Sequence, residues 1–188
     1  MSLPLAEVSM NIVVFDIETQ NLFEDVGGRD NIGALKVSCA VSWSSVRNDF
    51  SVYWEKDVPA LIAELKSAGR VIGFNVKGFD YEVLRPYAPD ERLQSLPTLD
   101  IMDDLFRTLS FRVSLDAVAR ATLGETKSAT GLQAVAWWRA GELEKLAEYC
   151  KVDVDVTRRI YEFGCENGFV QYYSRLGSKQ KVQVKWKC

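Results

Sequence analysis

The sequence predicts an α/β protein in which helices flank a mixed β-sheet. A first group of short apolar segments alternates as strands do, and a longer part follows in which strand patterns alternate with helical patterns. This order of elements is typical of a layered α/β architecture. The 188 residues are sufficient for one domain that buries roughly 70% of its unfolded surface around a single core.

The individual elements follow from alternation, capping residues and turn residues. We expect strands at 10–16, 35–44, 50–54, 70–74 and 96–101, helices at 57–68, 78–85, 102–109, 114–123, 130–139 and 141–166, the last with a potential break near its middle, and a hairpin at 169–174 and 181–186. Pro59 falls in the first turn of its helix, while Ser114 caps another helix that Gly124 ends. Gly177 separates the two alternating segments of the hairpin. The predicted boundaries are 1–9 for a leader, 10–168 for the main domain and 169–188 for a hairpin packed on that domain.

The composition excludes a membrane-spanning protein. Apolar residues make up 47% of the chain and charged residues 26%, which is typical of a globular protein. The apolar runs are far shorter than the ~20 residues of a membrane span, and the N-terminus lacks the basic start and apolar core of a signal peptide. We therefore expect a cytoplasmic protein. Its four cysteines form no Cys-x-x-Cys pair and are expected to be free thiols.

The chain contains no histidine, which excludes Ser-His-Asp and Cys-His catalysis and histidine-ligated metals. Any chemistry must use carboxylates, tyrosine, lysine or metal-bound water. The net charge of −3 argues against a protein that binds nucleic acid through bulk electrostatic attraction. It does not argue against a nuclease, because cations held by clustered acidic residues would invert the local potential that a phosphate meets.

Asp16 and Glu18 lie two residues apart at the end of an apolar segment. Because strand side chains alternate between faces, both should point in the same direction. Two adjacent like charges repel each other unless a cation or a shared proton relieves them, and carboxylates are hard ligands suited to Mg²⁺ or Mn²⁺. The pattern therefore predicts a metal site. The alternative is that the two acids form the polar face of an edge strand.

Two later segments also carry acidic residues in structured positions. Asn75 follows a short buried strand, and Asp80 comes near the start of the next helix, where an acid also interacts favourably with the helix dipole. Tyr149 and Asp153 are four residues apart and so lie on one helical face, whereas Asp155 points elsewhere. If each segment is considered by itself, the favourable interaction with the helix dipole is sufficient to explain Asp80. An amphipathic surface helix is sufficient to explain Tyr149 and Asp153.

Together, the three segments resemble the motifs of the DEDD family of 3′–5′ exonucleases, in its tyrosine-bearing branch. That family carries Asp-x-Glu on its first strand, an Asn-x-x-x-Phe-Asp segment and a late helix with Tyr-x-x-x-Asp. The matching residues here are Asp16 and Glu18, Asn75 to Asp80, and Tyr149 with Asp153. The resemblance spans about residues 10 to 165. The sister branch has a histidine where this chain has Tyr149, which favours the tyrosine branch.

The resemblance implies a ribonuclease H-like fold and a metal-dependent 3′–5′ exonuclease that hydrolyses phosphodiester bonds at 3′ ends, with DNA favoured over RNA and DNA repair as the context. Asp16, Glu18, Asp80 and Asp153 would hold two divalent cations, Mg²⁺ or Mn²⁺, and Tyr149 would orient the attacking water. The implied substrate is a single-stranded 3′ end of nucleic acid. A helicase is an implied partner.

The loop after Thr19 is the expected position of the terminal nucleotide, because it leaves the strand end where the metals would bind. Asn75 is a further residue that is expected to contact the substrate. Leu22 or Phe23 could stack on the last base, an interaction of ~1–3 kcal/mol that does not depend on base identity. The alternative for Phe23 is that it packs the loop against the domain.

Three other residues have roles that the sequence only partly predicts. Lys127 is either a phosphate contact or an ordinary surface charge. Trp137 and Trp138 are adjacent on a predicted helix and cannot both face inward, so one is expected in the core and the other at its boundary.

Two other functions remain open at this point. One is a catalytically inactive accessory domain that binds nucleic acid or a helicase, and metal-dependent release of nucleotides would distinguish it. The other is a ribonuclease H-like endonuclease, which would cut a closed circular substrate internally. The fold alone does not decide among them, because one fold hosts several chemistries.

Overall fold

The computed structural model describes residues 10–125, 130–174 and 176–187, so the predicted leader lies outside the described residues. Its strands are β1 (Ile12–Thr19), β2 (Val37–Ser44), β3 (Asp49–Trp54), β4 (Arg70–Gly73), β5 (Thr98–Asp100), β6 (Phe169–Tyr173) and β7 (Lys179–Gln183). Its α-helices are α1 (Val58–Ser67), α2 (Asp80–Leu84), α3 (Ile101–Leu109), α4 (Leu115–Thr122), α5 (Gly131–Ala140) and α6 (Leu143–Asn167). Short 3₁₀ helices occupy Arg29–Leu35, Glu55–Asp57, Arg85–Tyr87 and Leu93–Ser95.

A five-stranded mixed sheet has the order β3-β2-β1-β4-β5. β1 and β3 each pair antiparallel with β2, whereas β4 pairs parallel with both β1 and β5. The prediction of an α/β fold with a mixed sheet is confirmed. β1 lies in the centre, so the interpretation of Asp16 and Glu18 as the polar face of an edge strand is wrong. β1 also continues to Thr19, beyond its predicted end, because its pairing with β2 persists that far.

Helices cover both faces of the sheet, and the alternation along β1 divides its side chains between the two. Val14 belongs to the core beneath α6, which also contains Cys39, Val41 and Ile72. Val13, Phe15 and Ile17 belong to the opposite core, which α1 and α2 cover. Asp16 and Glu18 share the parity of Val14 and therefore lie on the α6 side.

α6 is one continuous helix of 25 residues, so the break expected near its middle does not occur. Its buried residues recur along the whole length, from Leu146 to Gly164, which keeps the helix packed on the sheet. Gly168 ends it in the left-handed conformation, with φ of 71°.

The C-terminal segment forms the predicted two-stranded hairpin, although its second strand begins and ends earlier than expected. The chain leaves the ladder after Gln183 because Val184 and Trp186 are buried against the domain. The Trp186 Nε1–H donates to Asp104 Oδ2 at 2.7 Å. Gly164 on α6 allows this close approach, because a Cβ there would lie 2.3 Å from the indole.

Cys39 and Cys150 are free thiols, as predicted, and both are buried. The prediction of a free thiol was wrong for Cys165, which is disulfide-bonded. Among the residues described, no helix has the length and apolar character needed to cross a bilayer.

Candidate active site

A cavity of about 420 Å³ lies where β1 and β4 end, within the size range of small-ligand sites. The structure brings every residue of the predicted site to its wall. These residues are Asp16, Glu18, Thr19, Leu22, Phe23, Asn75, Asp80, Tyr149 and Asp153. The N-terminal part of α5 completes the wall with Thr130, Gly131, Leu132 and Val135.

Asp16, Glu18 and Asp153 form the centre of this cavity. Each offers a carboxylate oxygen, and the three oxygens lie within 4.8 Å of one another. The strand alternation places the first two on the face that α6 crosses, and α6 brings Asp153, which is only 4% exposed. Three carboxylates this close repel one another in a partly dry site unless a cation or a shared proton relieves the repulsion.

The end of β1 is shaped by a β-bulge between Glu18 and Thr19. Glu18 pairs with Cys39 but Thr19 pairs with Val37, so β2 carries an extra residue at this point. Bulges of this kind bend a strand and redirect side chains, and they are frequent next to active sites. The Thr19 hydroxyl then donates to the Asn21 carbonyl at 3.0 Å, which starts the loop along the cavity wall.

Asp80 lies at the N-terminus of α2 and is only 2% exposed. Burial raises the pKa of its carboxyl well above the usual value, and the negative charge of Asp16 raises it further. Hydrogen bonds from backbone N–H groups, including that of Ile17, oppose this shift. Its Oδ1 atom has no hydrogen-bond partner among the described residues. An orphaned carboxylate oxygen beside the Asp16, Glu18 and Asp153 cluster has the donor chemistry of a divalent-cation site, so the residues present fit such an ion.

The segment that leads to Asp80 is fixed by its own backbone. Asn75 adopts a left-handed conformation, with φ of 69°, which asparagine tolerates better than most residues. Its carbonyl accepts from the N–H groups of Gly78 and Phe79 at 3.1 and 3.0 Å. A Cβ on Gly78 would lie 2.8 Å from Asn75 Oδ1, so a larger residue here would displace the Asn75 amide. The local turn therefore aims both Asn75 and Asp80 at the cavity.

Sequence reasoning missed Asp100, which holds this turn from the neighbouring strand. Its carboxylate accepts from the backbone N–H groups of Asn75 and Lys77 and also caps α3 through the N–H of Asp103. The available signal was its position, since an acid between a short buried strand and a helix is a typical N-cap.

Tyr149 lies one turn before Asp153 on the buried face of α6 and is 6% exposed. Trp137 of α5 contacts it edge-to-face, with ring centroids 5.8 Å apart. Trp137 and Trp138 are both half-buried against the same core, so the prediction of one core and one boundary residue was wrong. The contact between Trp137 and Tyr149 had no signal in the sequence.

A buried thiol, that of Cys150, forms hydrogen bonds with Asp16. Cys150 Sγ donates to the backbone oxygen of Asp16 at 3.5 Å and to its Oδ2 at 3.7 Å. Burial raises the pKa of this thiol well above its usual value, and hydrogen bonding with Cys39 and the charge of Asp16 raise it further. It therefore remains a neutral, protonated donor. Sequence reasoning missed this contact, because nothing in the spacing links α6 to Asp16.

The loop after β1 is packed down by its aromatic residue. Phe23 contacts Phe79 edge-to-face at 6.1 Å between centroids, and the Arg29 guanidinium lies 4.6 Å from its ring centroid. The packing interpretation of Phe23 is therefore favoured over base stacking. Leu22 remains half-buried on the cavity wall.

A surface ion pair connects this loop to α5. Asp25 Oδ2 accepts from the Leu22 N–H at 2.7 Å and from Arg139 Nη2 at 2.5 Å. The Leu22 hydrogen bond and the pairing with Arg139 hold the pKa of the Asp25 carboxyl below its usual value. The pair joins the two walls of the cavity and was not predicted.

Two other residues considered in the sequence analysis, Lys127 and Asp155, are not among the described residues that line the cavity. Lys127 lies outside the described residues. Asp155 is directed elsewhere, as predicted, and forms ion pairs with Arg158 and Arg159 at 2.7 and 2.8 Å.

Comparisons with known proteins agree with this architecture. A family model described as RNase_H superfamily matches residues 13–163. Among solved structures, the chain is similar to the family B DNA polymerase from the hyperthermophilic archaeon Pyrobaculum calidifontis, with a TM-score of 0.62 and 18% identity. The match covers 82% of this chain and 24% of the polymerase chain, so this chain spans about a quarter of that length. At this identity the likeness shows the fold alone. A search of curated proteins gives no match.

Proposed function

The chain belongs to the RNase H superfamily, and from that premise we propose that it is a metal-dependent 3′–5′ exonuclease of the tyrosine-bearing DEDD type. Its substrate is the 3′ end of a single-stranded nucleic acid, with DNA favoured over RNA. Its cofactors are two divalent cations, Mg²⁺ or Mn²⁺.

One observation carries this proposal: four carboxylates from three separate segments, together with Tyr149, line one cavity. Three of them, Asp16, Glu18 and Asp153, have oxygens within 4.8 Å of one another. Asp80 is buried beside them, with one oxygen lacking a hydrogen bond from any described residue. Close carboxylates repel one another, and cation binding would offset that cost, which supports the proposal.

The four carboxylates, Asp16, Glu18, Asp80 and Asp153, would hold the cations in this proposal. When bound, divalent cations stabilise the negative charge of the attacking and departing oxygens of a phosphodiester. In the net reaction, water adds its oxygen to the terminal phosphorus, the bond from phosphorus to the 3′-oxygen of the preceding nucleotide breaks, and that oxygen receives a proton. The products are a nucleoside 5′-monophosphate and a strand with a new 3′-hydroxyl.

Tyr149 is suited to orienting the attacking water. It lies one helical turn from Asp153, and the edge of Trp137 limits the rotation of its ring. A phenol with a pKa near 10 is a poor base at neutral pH, so its hydroxyl acts as a hydrogen-bonding group rather than as a proton acceptor.

Two walls of the cavity border the proposed position of the strand end. Leu22 on one side and Leu132 on the other line the space, and the Asp25–Arg139 pair connects their two elements. In this proposal the terminal nucleotide lies between these two walls.

The test is digestion of matched DNA and RNA oligonucleotides that carry a label at the 3′ or the 5′ end, with Mg²⁺, Mn²⁺ or chelator. We expect metal-dependent release of mononucleotides, with the 3′ label lost first and a ladder of shortened 5′-labelled strands. Asp153→Asn is the inactive control, and Asp90→Asn is the matched control at an exposed carboxylate. Internal cuts in circular DNA would support the endonuclease instead, and binding without release would support the accessory domain.

A further inference from the structure

We propose that a groove from the candidate active site to the C-terminal hairpin binds the single-stranded segment that precedes the 3′ end. The inference rests on the proposed exonuclease function for the terminal cavity, but it concerns a separate surface. The hairpin strands β6 and β7 lie beyond residues 13–163, which match the family model. Family membership therefore assigns them no role.

Three cavities, each of which shares one lining residue with the next, mark the path of the proposed groove. The active-site cavity shares Asn75 with a second cavity of about 360 Å³, which lies beside Lys77 and Phe106. The second cavity shares Arg112 with a third, of about 670 Å³, which the hairpin lines. In this proposal, a strand whose terminal nucleotide occupies the first cavity continues past Asn75 and Arg112 to the hairpin.

Exposed apolar and aromatic side chains recur along this path. Phe106 borders the second cavity, and Phe111, Tyr173 and Leu176 border the third. The three rings are 43%, 42% and 39% exposed, and Leu176 is 95% exposed. Aromatic rings spaced along a groove are the usual platforms on which unpaired bases stack.

The charges of the groove suit a phosphate backbone. Lys77 and Arg112 line it, and neither forms an ion pair with a described residue. Arg120 lies 5.6 Å from the centroid of Tyr173. The acidic residues of the second cavity are already engaged, because Asp100 accepts backbone N–H groups and Asp103 pairs with Arg107. Available positive charge therefore exceeds available negative charge.

The hairpin is held in a fixed position relative to the active site. The Thr122 hydroxyl on α4 donates to the Gln171 carbonyl at 3.0 Å and accepts from the Gln171 N–H at 2.9 Å. Tyr172 contacts Phe111 edge-to-face at 5.8 Å between centroids. Because the hairpin and the facing segment that borders the third cavity are held together by these contacts, the third cavity is preformed. The combination of stacking rings and unpaired cations favours a single strand over a duplex, whose base faces are hidden, and over an apolar protein segment.

The experiment uses surface variants that add a negative charge to the groove. Arg112→Glu and Leu176→Glu change exposed residues of the third cavity. Arg92→Glu and Val46→Glu make the same changes at exposed positions that do not line the three cavities. Leu176→Glu is the safer variant for folding, because the side chain is 95% exposed. Binding of 5′-labelled oligothymidylates from about 4 to about 16 nucleotides, the range of single-stranded sites, is followed by anisotropy at low salt in chelator, alongside kcat and KM with Mg²⁺.

We expect affinity to rise with length, and the two groove variants to weaken binding of the long oligonucleotide by about ten-fold while the shortest is unaffected. Arg112→Gln should reduce the slope of log K against log salt concentration by about 0.7, and Arg92→Gln should not change it. Affinity that does not depend on oligonucleotide length would overturn the proposal of a binding groove. An equal loss of affinity in the control variants would also overturn it.

The two proposals fail separately. Mononucleotide release with length-independent binding leaves the exonuclease standing and removes the groove. Length-dependent binding that Arg112→Glu and Leu176→Glu weaken, without any nucleotide release, supports the groove and removes the exonuclease.

Discussion

The Asp100 carboxylate accepts a hydrogen bond from the Asn75 N–H at 2.8 Å, and its other oxygen accepts from the Lys77 N–H at 2.9 Å. These bonds connect the end of β5 to the turn that carries Asp80. Asp100 is 4% exposed, so backbone donors replace water around its charge. It therefore acts on the candidate site by positioning Asp80 through the backbone.

The first prediction concerns this support. Asp100→Ala leaves two backbone donors without an acceptor and removes the cap of α3, so we expect it to lower the free energy of unfolding by about 2–4 kcal/mol. Asp100→Asn keeps one acceptor oxygen and should cost less. Urea denaturation measures both changes. The control is Asp103→Ala, whose exposed pair with Arg107 should contribute at most ~1 kcal/mol. Equal losses in Asp100→Ala and Asp103→Ala would show that the turn does not depend on Asp100.

The second prediction concerns the buried carboxylate of Asp80. Burial and the charge of Asp16 raise the pKa of this carboxyl, so a neutral amide in its place should remove an unfavourable contribution to folding of the metal-free protein. We expect Asp80→Asn to raise the Tm in chelator by about 2–4 °C, as a gain of about 1 kcal/mol would. The increase in Tm on adding Mg²⁺ or Mn²⁺ should shrink in the same variant. A metal-free Asp80→Asn protein that melts below the parent, with Asp90→Asn unchanged, would contradict this account.

How much of this site was predictable depends on whether its contacts are local in sequence. The strand period placed Asp16 and Glu18 on one face, and the helix period placed Tyr149 and Asp153 on another, because those spacings are fixed by backbone geometry. The contacts of Cys150 with Asp16 and of Trp137 with Tyr149 depend on how α5 and α6 pack on the sheet. No local spacing encodes such packing, so sequence reasoning missed both.

The extent of the regular elements was also only partly predictable. β1 continues further than expected because its pairing with β2 persists, and α6 has no break near its middle because its burial on the sheet overrides the local signal for one. β7 stops earlier than its alternating sequence suggests. The apolar residues that predicted this part of the strand pack the C-terminal tail against α6 instead. They are Val184 and Trp186.

The third prediction compares Tyr149 with Asp153. Tyr149→Phe removes one orienting hydrogen bond, ordinarily ~0.5–1.5 kcal/mol, so we expect kcat to fall by up to about ten-fold. Asp153→Ala removes a carboxylate from the cation site, a contribution of several kcal/mol, and should nearly abolish activity. Single-turnover cleavage of a 3′-labelled strand gives both rates. If Tyr149→Phe is as inactive as Asp153→Ala while it still binds Mn²⁺ normally, the phenol takes part in the chemical step and the orienting role is wrong.

The fourth prediction concerns the contact between Trp137 and Tyr149. An edge-to-face pair contributes about 0.5–1.5 kcal/mol, and here it restricts the ring that orients the water. We expect Trp137→Leu to lower kcat with little change in KM. Combined with Tyr149→Phe it should add almost nothing, because both changes remove the same orientation. Trp138→Leu is the matched control, since that indole is similarly half-buried in the same core. Full additivity of the two substitutions would show that Trp137 acts through stability alone.

The fifth prediction concerns the ion pair that joins the cavity walls. Asp25→Asn and Arg139→Gln each release the loop of Leu22 from α5, so we expect KM for a single strand to rise about three-fold while kcat changes little. The double variant should match either single one, because both lose the same contact. The pKa of Asp25 is lowered from 3.8, so the carboxylate stays ionised above that value and the pair is lost only as pH falls through its lower folded pKa. The effect of Asp25→Asn should therefore be constant across the neutral range. Lys66→Gln, which breaks a similarly exposed pair with Glu91, is the control. A change in kcat rather than KM would place the pair in the chemistry and not in holding the substrate.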